Sequence, residues 1–218
     1  MIKLYGTGVS NNVNKVRYCL NFLNLKYDWI QTNPMQGETQ KPDFLAISPT
    51  GKIPAIEIDN FKLFESNAIL RHLATEAKSP IYPTDAKKRA MVEAWMDYCS
   101  IHVSQMIGRI LFNRILAPMI GEKVDESSIQ TGLKFLDKYF PILEKQLSQN
   151  AYLAGNELTI ADMNLLSVLD PCEAVQISLA QYPNLTKWRN AMKSQSFYQK
   201  CYKDYTQFVQ ELMGAAKS

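Results

Sequence analysis

"IPAIEIDNFKLFES", residues 53–66, holds two short apolar runs, Ala55 to Ile58 and Lys62 to Phe64, on either side of Asp59-Asn60. β-Branched and aromatic residues suit strands, and a two-residue connection of this composition suits a tight turn, so the stretch predicts an antiparallel hairpin. A helical period follows at once: Ile69, Leu70 and Leu73 share one face of a helix predicted from Ser66 to Ala77. Upstream, Ile2 to Tyr5 reads as a strand, Asn14 to Leu23 as a helix with Val16, Leu20 and Leu23 on one face, and Tyr27 to Thr32 as a second strand. These form a βαβ unit. A polar stretch with a short helix near Asp43 to Ile47 joins the two halves, giving the order βαβ then ββα.

The rest of the chain is helical in pattern. "KSPIYPTD", residues 78–85, has two prolines and no periodicity, and it separates an α/β domain over 1–79 from an all-helical domain over 85–218, with 80–84 as linker. One helical pattern runs from about Asp85 to Leu116 and stops near Pro118; another runs from about Asp125 to Gln149, lengths suited to an antiparallel bundle. In "LTIADM", Thr159 is placed as a helix cap with Asp162 three residues on, and Leu158 and Met163 flank them as a hydrophobic staple. That is a folding device.

Composition excludes several classes of function. Of 218 residues, 46% are hydrophobic, enough to bury a substantial core, and 24 basic against 21 acidic residues leave a net charge of only +3 with no dense basic cluster. Nucleic acid is not the expected partner. No apolar run approaches the ~20 residues of a membrane span, and the N-terminus has no leader-like block. Cys19, Cys99, Cys172 and Cys201 are widely spaced, with only His72 and His102 as imidazole companions. Reduced cytoplasmic thiols, with neither disulfide framework nor metal site, are the expectation.

Two motifs raise questions of chemistry. Pro54 stands just before an apolar strand, where it is either an ordinary strand-initial residue or part of a cis turn that leaves the Ile53 amide and carbonyl free to pair with a peptide-like ligand. Glu65 and Ser66 stand where a strand ends and a helix begins. There a serine amide and hydroxyl can take a carboxylate at the positive helix end while Glu65 holds an ammonium; a plain serine cap is the alternative.

Taken in order, "SPTGKIPA", "LFESNAI", "LTIADM" and "YPNLTKWRNAMKSQSF" resemble the glutathione transferase family over essentially the whole chain. The resemblance implies a thioredoxin-like N-terminal domain that holds glutathione as co-substrate and a helical-bundle C-terminal domain that supplies most of an apolar second-substrate pocket. By motif, Ile53 before a cis Pro54 would pair with the cysteinyl part. Glu65 and Ser66 would take the γ-glutamyl amino and carboxylate groups, and Lys52 and Gln40 would lie near the glycyl end. Asp97 in "WMDYC" falls where relatives reach across a homodimer to the γ-glutamyl ammonium.

The same resemblance gives a role to the polar turn in "LYGTGVSNNVNKVRYCL", residues 4–20. A free thiol ionises near ~8.5, so the protein must favour the thiolate. Serine-dependent relatives use a hydroxyl six residues before a helix valine, the spacing of Ser10 and Val16. "SNNVNKV" also keeps an asparagine, Asn12, that serves the sulfur in some bacterial-type relatives. Val9 and Asn11, with His102, Gln105 and Met106 from a later helix, would line the second-substrate pocket, and the tail "FYQKCYKDYTQF" reads as a packed surface helix, with a cover over that pocket as the alternative. Conjugation to small electrophiles is the expected activity. Glutathione-dependent disulfide or peroxide reduction through Ser10 and Asn12, or a non-catalytic interaction module, are the alternatives.

Overall fold

A computed structural model describes residues 1–201 together with Tyr205, Thr206 and Val209. The tail stretch suggested as a cover therefore lies partly outside the described residues, at 202–204 and 207–208. The N-terminal domain runs β1 (Ile2–Gly6), α1 (Asn11–Phe22), β2 (Tyr27–Gln31), the short α2 (Pro42–Leu45), β3 (Ala55–Ile58), β4 (Phe61–Phe64) and α3 (Ser66–Glu76). Its sheet has the order β2-β1-β3-β4, with β1 and β2 parallel and the other pairs antiparallel. The thioredoxin-like βαβ-ββα order read from the sequence is thus present.

Helix α1 starts three residues earlier than its apolar period suggests. Ser10 supplies the cap, so Asn11 and Asn12 are already helical and only residues 7–10 remain as the turn. The helix is buried at Val13, Asn14, Lys15 and Val16 alike, because it is covered by more than one neighbour.

In the C-terminal domain a continuous helical run holds α4 (Ala86–Asp97), α5 (Ser104–Leu111) and α6 (Ala117–Met119), joined by π-helical turns at Tyr98–Val103 and Phe112–Leu116. The run ends at Met119, so it stops near Pro118 as its sequence suggests, with the proline itself in the last turn. The wider π turn just before it gives room for the ring and the missing N–H, and beyond the C-cap at Ile120 the chain turns at Gly121, φ +72°. Helices α7 (Glu126–Gln149), α8 (Ile160–Leu169), α9 (Pro183–Lys193) and α10 (Ser196–Gln199) complete the described elements.

The two domains share one core. Leu4, Val16, Leu20, Ile69 and Leu70 belong to the same buried cluster as Val103, Leu143, Leu165 and Leu169. Ile81 in the connection is 2% exposed, and its carbonyl accepts from the Ile160 amide at 3.0 Å, so the connection is fastened to the first turn of α8. Every residue of α8 is buried, which forces its polar residues Asp162, Asn164 and Ser167 to find partners inside.

Gly6 allows α1 to lie close against β1, for a Cβ there would come within 2.5 Å of Val13 Cγ2. Gly6→Ala is expected to destabilise the protein by about 1–3 kcal/mol through overpacking, read as a lower unfolding midpoint in denaturant; an unchanged midpoint contradicts the close approach.

Candidate active site

Strand register brings three segments together at one end of the sheet. Tyr5 and Phe64 both face Ala55 across their ladders, so the next residue on each strand, Gly6, Pro54 and Glu65, stand side by side.

The first segment is the turn at residues 7–10. Ser10 is extended (φ −82°, ψ 114°), and its Oγ accepts from the Val13 amide at 3.4 Å. A hydroxyl has one proton besides its lone pairs, and among the described residues the Ser10 proton meets no acceptor. Capping and donation to a ligand are therefore compatible. Asn11 Oδ1 accepts from the Asn12 amide at 3.0 Å, and Asn14 Nδ2 donates to the Gly8 carbonyl at 2.6 Å, which braces the turn. The first turn of α1 has no acidic residue, so its positive end is left without a carboxylate of its own.

The second segment precedes β3. The Ile53-Pro54 bond is cis, and among the described residues the Ile53 amide and carbonyl have no hydrogen-bond partner. Just ahead, Gly51 turns at φ +62°, and the buried Ser48 hydroxyl donates to the Lys52 carbonyl at 2.9 Å. Gln40 arches over this turn: a Cβ on Gly51 would meet its Nε2 at 2.5 Å. The structure thus brings Gln40 and Lys52 to one place, although twelve residues separate them. Lys52 and Gln40 are both exposed.

The third segment follows β4. Glu65 adopts φ 68°, ψ 110°, a conformation that non-glycine residues rarely take, and such strain concentrates at functional sites. Its exposed carboxylate makes no cap bond, and Ser66 becomes the first residue of α3. Asn12 links this segment to the first, its Oδ1 accepting from Ser66 Oγ at 3.5 Å. Beneath Ser66, the Lys15 ammonium donates to Ser66 Oγ at 3.2 Å and to Asn67 Oδ1 at 2.9 Å. Asn67 Nδ2 donates to Ser100 Oγ at 2.7 Å, which also accepts from Asn164 Nδ2 at 3.1 Å. A polar chain therefore runs from the turn into the helical domain.

Comparisons with known proteins agree with this architecture along its length. The glutathione S-transferase N-terminal domain matches residues 1–75, and the C-terminal domain of the same family matches residues 103–196. Glutathione S-transferase 3 of Zea mays is 32% identical over 205 residues, covering 91% of this chain and 92% of the relative.

The chain belongs to the glutathione S-transferase family.

Among solved structures, glutathione transferase F7 from Populus trichocarpa is similar at a TM-score of 0.84 and 30% identity, covering 92% of this chain and 97% of that one. Glutathione S-transferase I from maize in complex with an atrazine glutathione conjugate is similar at a TM-score of 0.85 and 28% identity, covering 94% and 98%.

The remaining predicted residues of this glutathione S-transferase fall on several faces. Val9 lies in the turn, its carbonyl accepting from the buried Tyr205 hydroxyl at 2.8 Å. Asp97 is exposed at the end of α4, near Arg71, whose guanidinium pairs with Glu93 at 2.5 Å. Gln105 is exposed on α5. His102 is exposed, and its ring lies 5.2 Å from that of Tyr139 in α7 and 5.3 Å from that of Tyr98. Met106 is half-buried on α5, and its backbone carbonyl lies 3.2 Å from where a Cβ on Gly132 of α7 would stand. His102 stands in the π turn at Tyr98–Val103, and Gln105 and Met106 lie in α5 just after it.

Sequence reasoning missed Asn67, Ser100 and Asn164, and it gave Lys15 no role. The available signal was Lys15 itself, a cation one turn inside a helix between apolar Val13, Val16 and Cys19. The cysteines offer no thiolate of their own, since burial pushes Cys19 up to about 12 and raises Cys99, Cys172 and Cys201 as well. Among the described residues no group of three or more His, Cys, Asp or Glu gathers to hold a metal, and no helix is long and apolar enough to cross a membrane.

Proposed function

We propose that this glutathione S-transferase ionises the glutathione thiol at the N-terminus of α1, with Ser10 donating its hydroxyl proton to the sulfur, and adds the thiolate to small, mostly apolar electrophiles. The observation that carries this reading is the dual state of Ser10: a lone pair caps the helix while the proton stays available beside an unneutralised helix end. The tripeptide would lie across the three segments. Its γ-glutamyl carboxylate meets the Ser66 amide and hydroxyl, its ammonium meets Glu65, and its cysteinyl backbone pairs with Ile53. Gln40 and Lys52 take the glycyl carboxylate.

Asn12 serves as a second donor near the sulfur or, through Ser66, as a support for the γ-glutamyl end. Val9, Asn11, His102, Gln105 and Met106 line the proposed second-substrate pocket. A homodimer in the cytoplasm, with Asp97 reaching the partner's γ-glutamyl ammonium and detoxification as the outcome, completes the reading.

Purified protein is expected to conjugate glutathione to at least one of a halonitrobenzene, an isothiocyanate and an epoxide, and to turn over 2-hydroxyethyl disulfide far more slowly. The loop lacks the cysteine that a mixed-disulfide route requires. Faster disulfide turnover would reverse the assignment, and a monomeric mass in sedimentation would remove Asp97 from it.

A further inference from the structure

Lys15 is the one charged residue of α1 whose side chain is almost wholly removed from water, at 3% exposure. Among the described residues its ammonium makes no salt bridge; its partners are the neutral Ser66 Oγ and Asn67 Oδ1. A buried cation is costly unless compensated. The charged and titratable groups that face it are Glu65 at the head of α3, Arg71 further along α3 with its partner Glu93, and the Cys99 thiol on the π turn, behind which Asp162 of α8 lies. Glu65 is exposed and Arg71 repels, so the protein leaves Lys15 short of one negative charge.

We propose that Lys15 is a positioning residue for glutathione: its charged form directs the Ser66 hydroxyl proton toward the γ-glutamyl carboxylate, whose charge is the counter-ion Lys15 lacks. The proposal rests on the reading that Ser66 receives that carboxylate.

An ammonium can only donate, so Ser66 Oγ accepts from charged Lys15 and its own proton must point away, toward Asn12 Oδ1 or a ligand oxygen. Donation by a cation also polarises the hydroxyl and strengthens its outgoing bond. A neutral amine keeps two N–H donors, enough to hold Asn67 Oδ1, and gains one lone pair. It accepts the Ser66 proton, and the hydroxyl then shows the ligand an oxygen lone pair, which repels a carboxylate. The protonation of Lys15 therefore decides whether Ser66 is a donor to the ligand.

Burial is the largest influence on Lys15 and brings it down to about 7, so this choice falls near neutrality. A carboxylate arriving on Ser66 favours the ammonium, and linkage requires binding to weaken as pH rises above the free protein's Lys15 value.

S-methylglutathione separates this effect from thiol ionisation, because it has no thiol. Its Kd for the wild-type protein, measured by calorimetry, is expected to rise about tenfold between about pH 6 and pH 8.5 as Lys15 loses its proton. Lys15→Met is expected to weaken binding roughly 10- to 100-fold at about pH 6, the size of a charge-assisted bond, and to flatten the pH dependence. Lys15→Arg, which stays charged, is expected to retain wild-type affinity at low pH and keep it at high pH. Ser66→Ala is expected to weaken binding and flatten the curve while Lys15 remains, and this covers the case in which Lys15→Met does not fold. A flat wild-type curve, or Lys15→Met binding like wild type, overturns the proposal. If Ser66→Ala also binds like wild type, the assignment of the γ-glutamyl site fails with it; if Ser66→Ala alone weakens binding, only the Lys15 role fails.

Discussion

Ser10→Ala is expected to lower kcat/KM for conjugation at neutral pH by roughly 10- to 150-fold, the equivalent of about 1.5–3 kcal/mol for one hydrogen bond to a charged sulfur. The loss should depend on pH in a definite direction. Stabilising the thiolate lowers the pKa of the bound thiol, and one unit corresponds to about 1.4 kcal/mol. Without the hydroxyl that pKa moves back toward ~8.5, so the variant is expected to recover activity as the pH rises past about 9, where the thiol ionises unaided. Glutathione KM should change little, because the tripeptide's other anchors remain. Asn12→Ala separates the two candidate donors. If Asn12 mainly supports Ser66, to which its Oδ1 is bonded at 3.5 Å, its loss raises KM and leaves the kinetic pKa in place. A Ser10→Ala variant with wild-type kcat/KM and an unshifted pH profile would remove Ser10 from the mechanism. A shifted pKa in Asn12→Ala alone would transfer the role.

What the sequence revealed and what it hid divide along a physical line. The hairpin at residues 53–66 and the Thr159/Asp162 box were readable because turn chemistry and capping act between residues a few positions apart. The start of α1 is three residues earlier than its apolar period indicates, because the Ser10 cap sets the first turn and that turn carries no apolar residue before Val13. Pro118 was readable as a stop, since the run ends at Met119, whereas the π turn that seats its ring has no local signature. The polar chain through Lys15, Asn67, Ser100 and Asn164 joins residues that are dozens of positions apart, and no local pattern encodes it. The placement of Gln40 over Gly51 is of the same kind, known only once the chain has closed on itself.

The largest stability effect is expected at Asp162. Its carboxylate accepts from the Leu153 amide, the Thr159 amide and the Thr159 hydroxyl, each at 2.9 Å, and so ties the preceding loop to the first turn of α8. The Trp188 indole N–H faces the same carboxylate without reaching hydrogen-bond geometry. Asp162→Ala orphans two buried amides, at about 1–3 kcal/mol each, so the loss is expected to be about 3–5 kcal/mol. Against a typical total of about 5–15 kcal/mol, and at about 2–4 °C per kcal/mol for a chain of this size, the melting temperature should fall by about 10 °C or more. Asp162→Asn keeps one acceptor but turns an N–H₂ toward a donor, and is expected to lose less. The pH dependence has a definite sign as well. Burial, the largest influence, raises the folded carboxyl from 3.8 to about 6, so between those values the folded state holds the proton more tightly than the unfolded one. Asp162 therefore contributes a loss of stability as pH rises from about 4 to 6, and nothing further above that range. Comparing wild type with Asp162→Asn by denaturant unfolding across that window isolates the slope, since the amide does not titrate. If the two curves run parallel, or if Asp162→Ala unfolds within about 1 kcal/mol of wild type, the carboxylate is not the tie between loop and helix that its three bonds describe.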